Sequence, residues 1–326
     1  SCITYKFRSF KMKKQLLIAA VAATMGTAAI ADVSITGNMK VNYTNEDANG
    51  ATTDSVSHET NLAIVGKSGD TTVHMEMAMD DAANRKDNVE QATVVLEDVH
   101  LTTTIGAVKV KTGTWNGSDT ILAADSTRTS GNWILSTDMQ GVSVALEGDT
   151  QASATSTAIS GDIAGVAAKY KMKHTSDELY LSADVAGVAV TFAGISADAA
   201  NSDAAAFTLA KEFNGVTVSY SDVDADSSYT VTGDTAAFGD AAALAMAAGD
   251  DASAIKLSTS MAGNTVSARF VSVDALIANS DFDVNTFTVT RPLAGGSTLE
   301  VTYTDTDKTG ATNDTEVLDV ELAVKF

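Results

Sequence analysis

This 326-residue sequence contains one cysteine (Cys2), one proline (Pro292) and four histidines, and aromatic residues make up 6% of it. One cysteine excludes a disulfide framework, so stability has to come from backbone pairing and burial. The histidines His58, His74, His100 and His174 are scattered, with no HExxH motif and no paired ligand spacing, and they read as polar side chains on strands or near loops. A GxSxG elbow and a phosphate-binding loop are also missing, and no catalytic constellation replaces them, so the reading is of a non-enzyme. Basic residues are scarce, with 21 Lys and Arg against 42 Asp and Glu. That balance excludes nucleic acid as a partner, because phosphates need a basic patch. Beyond the N-terminal region there is no apolar run long enough for a membrane helix.

The N-terminal region is different in kind. Met12-Lys13-Lys14 opens a positive stretch, Leu16 to Ala23 is apolar, and Ala29-Ile30-Ala31 is a small-x-small site. This is the pattern of a secretory signal peptide over 12–31. Residues 1–11 precede the expected initiator Met12 and read as translated upstream sequence. The expected mature chain is a single domain, 32–326. Five of the basic residues and none of the acids precede residue 32, so this domain carries −26. Such a charge suits a water-facing surface that attracts cations.

Apolar residues form 44% of the chain, yet helical periodicity is weak. Alternation dominates instead. In "VSITGNMKVNYT" Val33, Ile35, Met39, Val41 and Tyr43 share one strand face with Gly37, and the other face is wholly polar. The last residues, "TEVLDVELAVKF", repeat the pattern with Leu318, Val320, Leu322, Val324 and Phe326 on one face. The two segments could pair to close a barrel. A soluble β-sandwich also alternates, so the connections have to discriminate.

Eight short Gly-centred breaks recur, at 67–70, 105–107, 139–142, 163–166, 185–188, 213–216, 261–264 and 293–296. Glycine supplies the positive φ of tight hairpins. The connections between them, such as 45–56, 80–90, 114–130 and 222–252, are longer and rich in Asp, Asn, Ser, Thr and Ala. Tight turns at one end and long polar loops at the other predict an all-β transmembrane antiparallel barrel. Eight turns plus a free strand at each end give 18 candidate strands, or 16 if one of the closely spaced turns near 141, 165 or 187 is false. Within 222–252, "AAALAMAA" (241–248) is the one local helix signal, predicting a short helix over the pore mouth.

These features resemble the Gram-negative general diffusion porins. The likeness rests on the leader, the opening strand, the hairpin "IGAVKVKTG" (105–113) with a break after it, and the terminal Phe with alternating apolar residues before it. In that family a long third loop follows the hairpin and narrows the barrel. Here Ile105 stands for the usual Phe, and the loop 114–130 is short. The resemblance implies an outer-membrane location, contact with lipid and lipopolysaccharide, a homotrimer, and Phe326 as a signal to the outer-membrane assembly machinery. It implies passive passage of small hydrophilic solutes. An outer-membrane or secreted β-rich surface or adhesion protein without channel activity is the alternative.

Alternation also places charges. If the apolar rows face lipid, Lys40, Lys67, Lys109, Lys111, Lys169, Lys171, Lys173, Lys256 and Arg269 face the lumen, with Glu76, Glu147, Glu300, Asp319 and Glu321 as inward acids. Asp119 and Asp125 sit on the expected constriction loop. Charges of both signs could set a transverse field across the pore, with modest cation selectivity. Finally, "DTDKTGATNDTE" (305–316) places Asp305, Asp307, Thr309, Gly310, Asn313 and Glu316 at the ligand and glycine positions of a calcium loop, without flanking helices.

Overall fold

The computed structural model describes residues 32–48, 50–80, 93–116, 128–149, 155–199, 202–229, 236–242, 248–276, 281–308 and 314–326. The expected leader therefore lies outside the described residues. Eighteen strands follow one another. They are β1 (Asp32–Ala48), β2 (Ala51–Ser68), β3 (Thr71–Asp80), β4 (Thr93–Ile105), β5 (Val108–Asn116), β6 (Arg128–Met139), β7 (Val142–Asp149), β8 (Thr155–Ile163) and β9 (Val166–Met172). Then come β10 (Ser176–Val185), β11 (Val188–Ala197), β12 (Ala204–Phe213), β13 (Val216–Ala225), β14 (Asp251–Met261), β15 (Asn264–Asp274), β16 (Phe282–Pro292), β17 (Thr298–Lys308) and β18 (Thr315–Lys325). Each pairs antiparallel with its neighbours in sequence, and β1 also pairs with β18, so the sheet closes on itself.

The first and last strands meet as their alternation predicted. Val41 stands opposite Leu322 and Tyr43 opposite Val320, on one face. That face is the outside of the barrel, where large apolar side chains stay exposed: Ile35 at 61%, Val56 at 61%, and Leu146, Phe207, Leu257, Phe287 and Leu322 likewise. Alternate residues turn inward. Closure leaves no unpaired edge among these strands, which matters for a chain with so much outward oil.

All eight predicted tight turns are present. Five have positive φ at both central residues, in Gln140-Gly141, Ala164-Gly165, Ala186-Gly187, Asn214-Gly215 and Ala262-Gly263. This conformation matches the right-handed twist of the flanking strands. Two are reinforced by an aspartate before the turn. Asp162 Oδ1 and Asp184 Oδ1 each accept from the turn glycine N–H, of Gly165 and Gly187, at 2.9 Å. Pro292 ends β16, where its missing donor costs the ladder least.

The other end departs from the expectation at 45–56. No long loop forms there, because β1 and β2 run on in register to Ala48 opposite Ala51. Polar residues of this stretch pair across the hairpin instead. Tyr43 Oη and Asn45 Nδ2 both donate to Asp54 Oδ1. One bulge bends the β3–β4 ladder, where Glu76 faces Asp98 but Met77 faces Leu96. Glu97 is the extra residue of this bulge.

Candidate functional site: a narrowed barrel interior

Part of the connection between β13 and β14 packs against the inner wall. Residues Ala236–Ala242 fold inside the barrel as two short 3₁₀ turns joined at Gly239. Phe238 and Ala241 are fully buried against an inward patch that includes Ala193, Ala206, Val223, Ala254, Val271 and Val273. The physical reason lies in the wall. Most inward rows carry hydroxyls, amides and charges, but those of β11 to β16 are largely Ala and Val over this patch. An apolar inner wall facing water would be left bare, and Phe238 covers it.

The helix expected at 241–248 falls mostly outside the described residues. Ala241 and Ala242 belong to a 3₁₀ turn, Ala248 is an isolated bridge residue, and 243–247 lie outside the described residues. Wall side chains take over the hydrogen bonding that a helix would have supplied. The Ala241 N–H donates to Ser221 Oγ at 2.8 Å, and Ser219 Oγ donates to Asp240 Oδ2 at 3.1 Å. Lys256 Nζ donates to Asp240 Oδ1 at 2.9 Å. Gly239 has φ +75°, and a Cβ there would lie 2.4 Å from Thr208 Oγ1 and 2.9 Å from Ser221 Cβ, so only glycine fits.

The base of this inward connection is stitched. Tyr229 N–H donates to Asp226 O, and Gly249 N–H donates to Tyr229 O at 3.0 Å. The buried Asp250 accepts from Leu276 N–H at 3.0 Å, tying the connection to the one between β15 and β16. Tyr229 itself is packed near Phe238, with centroids 6.4 Å apart. Burial first, and the Glu178 carboxylate second, push its phenol above the ordinary tyrosine range.

The opposite arc of an 18-strand ring from β13 and β14 is β4 and β5. Lys111 and Trp115 are the fourth and eighth residues of β5 from its tight turn, and Ser219 and Val223 hold the same places in β13. The inward segment and the Lys111–Trp115 wall thus stand on opposite arcs of the ring. Lys111 Nζ stands 4.3 Å from the Trp115 ring centroid, a cation–π contact.

Lys40, Lys67, Lys109, Lys111, Lys169, Lys171 and Lys256 alternate with the outward apolar rows of their strands, and Lys173 lies one residue past the end of β9. Lys40 pairs with Glu321 at 3.4 Å, and Lys171 with Glu147 at 2.7 Å across β7–β9. Lys173 pairs with the fully buried Glu178 at 2.5 Å. Lys169 Nζ stands over Tyr180, 5.3 Å from the centroid. Lys109 shares the inward row of Lys111, opposite Thr104. Lys67 stands opposite Asp32, and Arg269, in register with Lys256, donates to Thr286 Oγ1 at 3.2 Å. Glu300 and Asp319 accept from Thr290 and Thr44. These ion pairs set charges of both signs on the inner wall.

Asp119 and Asp125 lie outside the described residues, as do Thr309, Gly310 and Asn313 of the calcium-loop motif. Asp305, Asp307 and Glu316 are strand residues. Asp305 stands opposite Glu316, one step above Tyr303 on the outward row. Phe326 exchanges backbone hydrogen bonds with Gly37, past the end of β18.

Sequence reasoning missed two features of the interior. The acid on the inward segment is Asp240, and the signal for its segment was a run of inward Ala and Val on neighbouring strands. The second is a cross-strand cluster. His74 stands opposite His100 with rings stacked at 4.8 Å, and Glu76 stands opposite Asp98.

No protein-family model and no curated protein matches this sequence. Solved structures do. Pseudomonas aeruginosa OccK11 (OpdR) is similar with a TM-score of 0.69 at 12% identity, over 90% of this chain and 96% of that one. P. aeruginosa OccK2 (OpdF), solved in complex with glucuronate, also scores 0.69 at 11% identity, over 90% and 98%. Acinetobacter baumannii OccAB1 scores 0.65 at 11%, over 90% and 96%. The chain has a porin fold. At these identities the likeness is one of architecture, and the side chains of the lumen are this chain's own.

Proposed function

We propose that the protein is a porin of a Gram-negative outer membrane, which passes small hydrophilic solutes and ions by passive diffusion. The observation that carries this reading is a closed barrel whose outside is apolar and exposed while its inside is lined with charges and hydroxyls. A soluble protein does not leave such a belt of Ile, Val, Leu and Phe in water. Lipid is the solvent that suits it, and the polar interior is then the path for water. The inward segment at Ala236–Ala242 sets the width, as a fixed partial constriction.

The ion preference follows from opposed charges. The domain's net charge of −26 concentrates cations at the mouths. The inward lysines oppose this locally, so the preference is a modest one for cations and falls as salt screens it over about 10 Å at 0.1 M. Planar-bilayer recordings test both parts. Discrete conductance steps support the channel, and their absence from a correctly folded barrel favours a surface or adhesion role. A reversal potential in a salt gradient gives the sign of the preference. The glucuronate complex of one structural neighbour makes a uronate a sensible first solute for permeation assays. Homotrimer formation, contact with lipopolysaccharide and recognition of Phe326 by the assembly machinery belong to the same proposal. Calcium binding at 305–316 is a separate proposal, tested by calcium titration of Asp305→Asn.

A further inference from the structure

We propose that the inner wall of β3 and β4 carries a binding site for a divalent transition cation, Zn²⁺ or one of similar borderline character, held by His74, Glu76 and Asp98. One ligand atom from each of the three lies within 4.8 Å of the other two, and among the described residues this is the one such group. His74 Nε2 and Glu76 Oε2 are 3.7 Å apart. Ligands about 2.0–2.2 Å from a tetrahedral zinc stand about 3.4 Å from one another, so small rotamer changes close the set.

The backbone makes the arrangement a built one. His74 and Glu76 are two residues apart on one inward row of β3, and Asp98 stands opposite Glu76 on β4. The bulge at Glu97 passes the register on without turning Asp98 away from that face. All three side chains are half-buried in the wall, where rotamers are restricted.

A neighbouring ring fixes the imidazole. His100 stacks on His74 with an interplanar angle of 20°, and Trp115 closes on His100 edge-on at 6.0 Å. His100 Nδ1, on the ring stacked against His74, is buried with no hydrogen-bond partner. The ammonium of Lys111 is drawn over the Trp115 indole, 4.3 Å from its centroid.

The donor set chooses the class of ion. Two carboxylates balance a charge of +2, and a neutral imidazole favours Zn²⁺, Ni²⁺ or Cu²⁺ over Ca²⁺ and Mg²⁺. Three protein ligands leave a position open to the lumen water. The site does not depend on transport, since a barrel that conducts nothing would still bind.

The test is calorimetric titration of untagged, folded barrel in detergent with ZnCl₂, in the presence of excess CaCl₂. One saturable Zn²⁺ per chain is expected. His74→Ala and Glu76→Gln should each weaken it by about tenfold or more, the scale on which even supporting groups of metal sites act. A double variant, His58→Ala with His174→Ala, should bind like the parent. Heat-modifiable gel migration confirms that each variant is folded, and Glu76→Gln, nearly isosteric, decides the matter if His74→Ala misfolds. No saturable binding, loss of binding to calcium, or unchanged affinity in Glu76→Gln would overturn the proposal.

Discussion

Gly37 and Phe326 exchange both of their backbone hydrogen bonds, at 2.8 and 2.9 Å, and the Phe326 ring occupies the space over the glycine. A Cβ on Gly37 would lie 2.6 Å from two ring carbons of Phe326 and 2.9 Å from the Asn61 carbonyl oxygen. The last residue is thus held by the first strand, on the outward row. Replacing Gly37 with Ala should displace the ring and cost about 1–3 kcal/mol, the usual range for overpacking. Deleting Phe326 removes both hydrogen bonds and the ring, and should reduce assembly further. The fraction of heat-modifiable barrel in outer-membrane preparations measures both, and equal yields of parent and variants would refute the closing role.

Leu322 and Ala323 sit side by side on β18 but face opposite ways, Leu322 outward opposite Val41 and Ala323 inward opposite Lys40. A charge on a lipid-facing row costs about 2–4 kcal/mol at the midplane for Arg or Lys and less for an acid. Leu322→Asp should therefore impair insertion, while Ala323→Asp, placed beside Lys40, should be tolerated. Comparable insertion of the two variants would contradict the outward apolar belt.

Gly239 should matter more to the inward segment than its salt bridge does. The Asp240–Lys256 pair is 21% and 40% exposed, and pairs so open contribute about 0–1 kcal/mol. Lys256→Met should leave the segment in place and change single-channel conductance little. Gly239→Ala must abandon a left-handed backbone and drive a methyl into Thr208 and Ser221, at about 1–3 kcal/mol for the overlap alone. The segment should lift from the wall, with larger or noisier conductance steps. If Lys256→Met had the larger effect, the tether would be electrostatic after all.

Glu178 is fully buried, with Lys173 at 2.5 Å. Taking the counter-charge from a buried carboxylate costs about 3–5 kcal/mol. Lys173→Met should lower the temperature at which the barrel loses its compact gel migration. Lys40→Met, which breaks an exposed pair with Glu321, should not.

Asp240 is an acid the inward segment brings into the lumen. Asp240→Asn should shift the reversal potential toward anions, and it should do so more than neutralising an acid at the outer rim such as Asp54. The same recording on an Asp119→Asn, Asp125→Asn double variant measures the share of the connection between β5 and β6.

The sequence by itself determined the strands, their tight turns and their two faces. These are local properties. Period two sets the side on which Val41 or Lys171 projects, and Gly141 or Gly187 reads as a turn from its own φ preference. The final alternation, from Leu318 to Phe326, even carried the closure with Val33 to Tyr43. Tertiary structure alone decided what fills the barrel. Phe238 is buried because Ala193, Ala206, Val223, Ala254 and Val271, from five different strands, converge on one apolar patch, and no window of sequence contains that convergence. Ala241, read as the start of a helix, is drawn into a 3₁₀ turn by that burial, since local preference is weak against packing. His74 and His100 looked scattered because they are 26 residues apart in the chain, and only the β3–β4 register, bulge included, sets them ring on ring beside Glu76 and Asp98.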